Sequence, residues 1–82
     1  MHINLGVLLI NKGDLDGAEA EYLKAIEIDP HHVHAHSNLG NLLKKRGDWA
    51  GAEKEYARVL EIDPADADTK KNLRIVRENM RK

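Results

Sequence analysis

An internal repeat of 34 residues is the feature that most constrains how this chain can fold. Residues 2–30 and 36–64 are identical at 17 of their 29 aligned positions, far more than unrelated segments share. The pair Asp29-Pro30, for example, recurs one period later. A fixed period of this length is typical of stacked structural units, each of which packs on its neighbours. The repeat therefore predicts an array of such units rather than an irregular globule.

Each unit is predicted to contain two helices. In the second unit, Leu39, Leu42 and Leu43 form an apolar stripe with the i, i+3, i+4 spacing of a helix. Gly47 follows where a left-handed residue can end that helix, and Asp48 can cap the next one. The same features recur one period earlier, and the register continues into a fifth helix. The five helices are expected at roughly 2–12, 15–28, 33–46, 49–62 and 66–81.

The two ends of the predicted array differ. Asn72 and Leu73 continue the register, but Arg74 replaces a glycine and Arg77 replaces a leucine. Charged side chains suit a face that meets water, so the fifth helix is expected to close the array. The first helix has no capping residue and no covering unit before it. We therefore expect a truncated end that exposes Leu8 and favours self-association or domain swapping.

Composition narrows the classes of function. The 82 residues carry a formal net charge of −1 and no cysteine, which argues against nucleic acid as a partner and against disulfides or thiolate metal sites. No apolar run is long enough to span a bilayer and no signal peptide is visible, so a soluble cytoplasmic protein without a membrane partner is expected. No nucleophile lies near a base and no glycine loop could hold phosphate. We expect no enzymatic activity and no cofactor.

Four of the five histidines lie within residues 31–36. His32 and His36 are four residues apart, a spacing that could hold zinc or nickel on a helix. No acidic or thiol third ligand lies nearby in sequence, and the repeat register points His36 inward. The pattern therefore predicts no native metal site, only adventitious binding of divalent ions by His32 and His36.

The combined pattern resembles the tetratricopeptide repeat (TPR) family. The resemblance rests on the 34-residue period, the Leu-Gly pair, the Gly-Asp-[Leu/Trp] motif, the Ala-x-x-x-Tyr spacing and the closing Asp-Pro pair. The departures are His2 and His36 where the family favours Trp, and Leu9 and Leu43 where it favours Tyr. The resemblance implies an all-α fold, a right-handed solenoid of helical hairpins in a single domain. Its parts would be a truncated first repeat (1–32), a second repeat (33–66) and a C-terminal capping helix (67–82).

The resemblance also implies a concave groove, lined by the first helix of each pair, that binds a protein or peptide partner. Asn4, Asn38 and Asn72 occur at 34-residue steps on this face, similar to the asparagines in the TPR region of the O-linked N-acetylglucosamine transferase. An amide offers two donors and an acceptor, so it can hold a peptide bond of any sequence. Alternatively, these amides bond within the array or face water. The candidate groove residues are Asn4, Val7, Asn11, His34, Asn38, Asn41, Lys44, Lys45, Lys71 and Asn72.

A second TPR binding mode, the carboxylate clamp for chaperone C-termini, is poorly matched. Its five positions fall on Ile3, Val7, Asn38, Asp68 and Asn72. Only the residue at 38 matches, and the carboxylate at 68 would repel a terminal carboxylate.

The sequence therefore predicts a non-catalytic interaction module that holds an extended peptide segment, with lysines that favour acidic stretches. The alternative is a minimal, truncated or engineered repeat scaffold that associates with itself through its uncovered first helix.

Overall fold

The computed structural model describes residues 14–82, which form four α-helices and contain no strand. The helices are α1 (Leu15–Ile28), α2 (Val33–Lys45), α3 (Trp49–Ile62) and α4 (Ala67–Met80). The all-α prediction is confirmed, and the bounds differ from those predicted by at most one residue at an end. The predicted count of five helices and two repeats is not matched, because the predicted helix 2–12 lies outside the described residues.

Each helix begins at a side chain that caps it. Asp14, Asp48 and Asp66 each accept a hydrogen bond from the backbone N–H three residues later, at 2.9 to 3.2 Å. The helix α2 begins instead after His32, whose ring Nδ1 accepts from the backbone N–H of Ala35 at 3.3 Å. These bonds satisfy donors that have no partner within the helix, so local sequence sets where each helix starts.

The turn between α2 and α3 depends on Gly47. Its φ of +83° lies in the left-handed region that glycine enters without steric cost. The next residue, Asp48, donates its N–H to the carbonyl of Leu43 at 2.8 Å, which satisfies an otherwise unpaired helix carbonyl. This glycine thus ends α2 and allows the chain to turn and pack α3 against it.

Consecutive helices pack on one another along the chain: α1 on α2, α2 on α3 and α3 on α4. The core consists of two apolar clusters, and Leu43 packs against both of them. The first cluster is Ala18, Tyr22, Leu39 and Leu42, and the second is Ala52, Tyr56, Leu73 and Val76. Because Leu43 links the clusters, the core is continuous through the stack.

Close packing of α2 on α3 requires the glycine at position 40. A Cβ at Gly40 would lie 2.7 Å from Cε1 of Tyr56, too close for any real contact. The absence of that atom lets the buried tyrosine ring lie directly against the α2 backbone. This contact fixes the position of α2, which carries most of the described candidate site residues.

Candidate functional site

One side of α2 and the equivalent side of α4 carry the described candidate groove residues. On α2 they recur at intervals of three or four positions, which places them along one side of that helix, and on α4 they are two adjacent residues. We call this surface the asparagine face; it consists of His34, Asn38, Asn41, Lys44 and Lys45 on α2, and Lys71 and Asn72 on α4. The other three candidates, Asn4, Val7 and Asn11, lie outside the described residues.

A hydrogen bond crosses the asparagine face from α2 to α4. The Nζ of Lys44 donates to Oδ1 of Asn72 at 3.3 Å, although the two residues are 28 positions apart. The sequence pattern assigned both residues to the groove but did not predict that they touch. The ammonium group binds the amide oxygen, and the two N–H donors of Asn72 have no partner among residues 14–82.

A buried tyrosine fixes Asn41 from below. The hydroxyl of Tyr56 donates to Oδ1 of Asn41, and the tyrosine itself is 0 % exposed. Burial raises the pKa of Tyr56 to about 12, so at neutral pH the hydroxyl keeps the proton that it donates. Asn41, which is exposed, is therefore left with its N–H donors facing solvent. Sequence reasoning missed this bond; the signal was a core tyrosine, whose hydroxyl usually needs a partner.

The side chain of Asn38 forms no hydrogen bond with any other residue in the described range 14–82. It is half-buried on α2, one helical turn from Asn41 and one repeat before Asn72. No residue of that range occupies the donors or the acceptor of its amide, so they are available to a bound partner.

Lysine side chains share the asparagine face with these amides. Lys45 and Lys71 are exposed and form no ion pair with the part of the chain that the structure describes. Asp68 is an exposed carboxylate in the first turn of α4. Amide N–H groups and ammonium groups together match ligands that offer oxygen acceptors, such as peptide carbonyls and carboxylates.

His36 is buried, and both of its ring nitrogens have oxygen partners. Its Nδ1 lies 2.7 Å from Oε1 of Glu55, and its Nε2 lies 2.8 Å from the carbonyl oxygen of Pro30. The ring thus connects the start of α2 to α3 and to the preceding turn. Sequence reasoning identified the inward direction but neither partner.

This geometry does not support the predicted adventitious metal pair. His36 has no nitrogen without a partner, and the Nδ1 of His32 already caps α2. Across residues 14–82, no three potential metal ligands of the His, Cys, Asp or Glu type lie together. None of the four described helices is long and apolar enough to cross a membrane.

Comparison with known proteins identifies the family to which this arrangement corresponds. Residues 9–71 match a family model described as "Tetratricopeptide repeat". A solved structure, "First TPR of Spaghetti (RPAP3) bound to HSP90 peptide SRMEEVD", is similar to the chain with a TM-score of 0.94 and 21 % sequence identity. The similarity covers 99 % of this chain and 64 % of that one. The likeness therefore concerns the fold, over slightly less than two thirds of the neighbour. No curated protein sequence matches the chain.

Proposed function

The chain belongs to the tetratricopeptide repeat family, and on this premise we propose that it is a non-catalytic interaction module. Its asparagine face holds an extended segment of a partner protein. One observation carries this proposal: Tyr56 and Lys44 bind the oxygens of Asn41 and Asn72 and so orient both amides, whose N–H donors have no partner among residues 14–82. An extended peptide offers unpaired carbonyl oxygens along its length, which such donors can bind whatever the peptide sequence.

The proposed grip is a ladder of Asn4, Asn38 and Asn72, similar to the asparagines of the O-linked N-acetylglucosamine transferase. The first of these lies outside the described residues. The amides of Asn38 and Asn72 are not equivalent: that of Asn38 has no hydrogen-bond partner among residues 14–82, whereas the oxygen of Asn72 already accepts one hydrogen bond from Lys44. Asn38 can therefore form more hydrogen bonds with a peptide than Asn72 can. It is the most informative position to substitute.

The partner segment is expected to be acidic and internal to its chain. Lys44, Lys45 and Lys71 attract carboxylate side chains, and the similar solved structure holds the acidic peptide SRMEEVD. Asp68, however, stands where the carboxylate clamp of the family carries a cation, so it disfavours a free C-terminus. Acidic side chains, rather than a terminal carboxylate, would then supply the charge complementarity.

The peptide SRMEEVD, with either a free or an amidated C-terminus, provides the test. Isothermal titration calorimetry should give similar affinities for the two forms. Asn38→Ala should weaken both about fivefold or more, because hydrogen bonds contribute about 1 kcal/mol each. The free energy of unfolding should not fall, since the side chain of Asn38 forms no hydrogen bond within residues 14–82. Lys54→Ala, at an exposed position on α3, is the matched surface control and should change neither value.

Three results would contradict the proposal. Unchanged affinity in Asn38→Ala would show that the amide does not grip the peptide. Binding of the free acid alone would indicate a carboxylate clamp. A concentration-dependent dimer in light scattering, with no binding of either peptide, would favour the self-associating scaffold. The helix 2–12, through which that scaffold would associate, lies outside the described residues.

A further inference from the structure

A second candidate surface lies between α3 and α4, on residues that the asparagine face does not use. It is an open groove of about 540 Å³ with two leucines at its base. We call it the basic groove; its lining consists of Leu60, Leu73, Lys70, Arg74, Arg77, Arg81 and Glu78. The four cations follow one another at i, i+4, i+7 and i+11; the first three project from a single side of α4, and Arg81 continues the spacing in helical backbone directly after its end.

The basic groove corresponds to a position that a helix fills in the preceding repeat. Three of its cations stand 34 residues after buried or half-buried residues of α2: Lys70 after His36, Arg74 after Gly40, and Arg77 after Leu43. On α2, this side packs against α3: His36 bonds to Glu55, and Gly40 lies against the ring of Tyr56. The equivalent side of α4 lies where a helix would pack if the pattern of α2 and α3 were repeated. Its side chains, however, are positively charged.

Most of that charge has no partner within residues 14–82. Lys70, Arg74 and Arg81 form no ion pair there, whereas Nε of Arg77 donates to Oε2 of Glu53 at 3.1 Å. An apolar helix placed over these cations would remove them from water without compensation, which is costly. A helix that carries carboxylates could instead form charge-assisted hydrogen bonds with the guanidinium groups.

We infer that the basic groove binds an acidic amphipathic helix of a partner protein. Small or apolar side chains of that helix lie on Leu60 and Leu73, and its carboxylates, repeated at helical spacing, pair with Lys70, Arg74 and Arg81. This site is separate from the asparagine face and does not depend on the function proposed for that face.

Residues 1–82 do not themselves offer such a helix. Residues 1–13 contain no Asp or Glu. Among the four described helices, the most acidic exposed stripe is on α1, and it carries two acids, Asp16 and Glu27, with Ala20 and Leu23 between them. A second copy would therefore leave part of the basic groove unpaired. Charge complementarity therefore points to an acidic helix that residues 1–82 do not supply.

Other polyanions fit the groove less well. The leucines lie at its base beneath long charged side chains, so they cannot insert into a bilayer as a projecting apolar face would. The lining contains no aromatic side chain on which a nucleic-acid base could stack. An acidic helix satisfies both the apolar base and the positive walls.

The test uses the full 82-residue chain and a synthetic alanine-based helical peptide. The peptide carries glutamates at i, i+4, i+7 and i+11 with leucines beside them, and a scrambled peptide of the same composition is its control. Fluorescence anisotropy should show binding of the ordered peptide and much weaker binding of the scrambled one. The double variant Arg74→Glu/Arg81→Glu should weaken binding about tenfold or more, because the two introduced carboxylates would repel the glutamates of the peptide.

Lys45→Glu/Lys71→Glu is the matched charge reversal on the asparagine face. It should leave affinity for the helical peptide within about twofold of the original. All four positions are exposed, and circular dichroism should give similar melting temperatures for both double variants. Equal binding of the ordered and scrambled peptides, or equal losses in the two double variants, would overturn the inference.

Two further measurements separate the other occupants. Self-association that Arg74→Glu/Arg81→Glu abolishes would assign the basic groove to a second copy. Co-sedimentation with phosphatidylserine vesicles that exceeds peptide binding would assign it to an anionic membrane. Either result would overturn the assignment to an acidic helix. Loss of SRMEEVD binding in Asn38→Ala, in contrast, bears only on the asparagine face.

Discussion

At the scale of single residues, Tyr56 connects the core with the candidate site. Its ring lies against the backbone at Gly40, and its hydroxyl bonds to the exposed amide of Asn41. The ring therefore positions α2, while the hydroxyl sets which way the amide faces. A change in the protonation of this one group should affect both the packing and the surface.

Stability should accordingly fall in alkali. Burial raises the pKa of Tyr56 from 10.0 to about 12, and it also raises that of Tyr22. The folded state thus binds the phenol proton more tightly than the unfolded state. This contribution is complete below pH 10 and is lost as the pH rises through about 12. Urea unfolding should give a free energy at pH 11 that is lower than at pH 8 by about 1 kcal/mol from Tyr56.

Tyr56→Phe isolates this effect from lysine titration in the same range. The variant should be less stable at pH 8, because the hydrogen bond to Asn41 is missing, yet it should lose less stability between pH 8 and pH 11. If both proteins lose the same amount, titration of Tyr56 does not drive alkaline unfolding.

At the scale of helices, most of the structure could be predicted because its causes are local. The capping side chain of α3, Asp48, and the left-handed residue that ends α2, Gly47, lie within a few residues of the boundary that they set. The contacts of Lys44 with Asn72 and of His36 with Glu55 could not be predicted in the same way. A repeat register indicates which face a side chain occupies, but not which neighbour from another helix lies within reach.

Replacing His32 with aspartate should stabilise α2. Asp66 occupies the equivalent place, 34 residues later, and caps α4 with a carboxylate, whereas α2 relies on a ring nitrogen at 3.3 Å from the N–H. A carboxylate is a better acceptor there and interacts favourably with the helix dipole. His32→Asp should raise the free energy of unfolding by about 0.5–1 kcal/mol in urea denaturation.

The adjacent variant His31→Asp adds the same charge without a capping bond. It should produce a smaller gain than His32→Asp. Equal gains would attribute the effect to general electrostatics and would contradict a specific cap at position 32.

At the scale of the whole molecule, the continuous core makes the helices depend on one another. Leu43 packs against both apolar clusters, so loss of one cluster removes support from the other. The described chain is also small, with a Cα radius of gyration of 12.0 Å. A small stack with a shared core is expected to unfold in a single cooperative transition.

Leu39→Ala tests the contribution of this core. Leu39 is 3 % exposed, and truncation of a buried leucine to alanine leaves a cavity that typically costs about 2–5 kcal/mol. Leu23→Ala is the matched control, because Leu23 is half exposed on α1, and it should cost about 1 kcal/mol or less. Similar losses for the two variants in chemical denaturation would contradict the described core.

The two tyrosines of the chain occupy the same place in consecutive repeats but have different surroundings. The hydroxyl of Tyr22 is buried without a hydrogen-bond partner among residues 14–82, whereas that of Tyr56 bonds to Asn41. The residue one period before Asn41 is Val7, which offers no acceptor on its side chain. Phenol vibrations respond to hydrogen bonding, so each repeat carries its own spectroscopic label. The surroundings of each tyrosine can thus be followed through unfolding without attaching a dye.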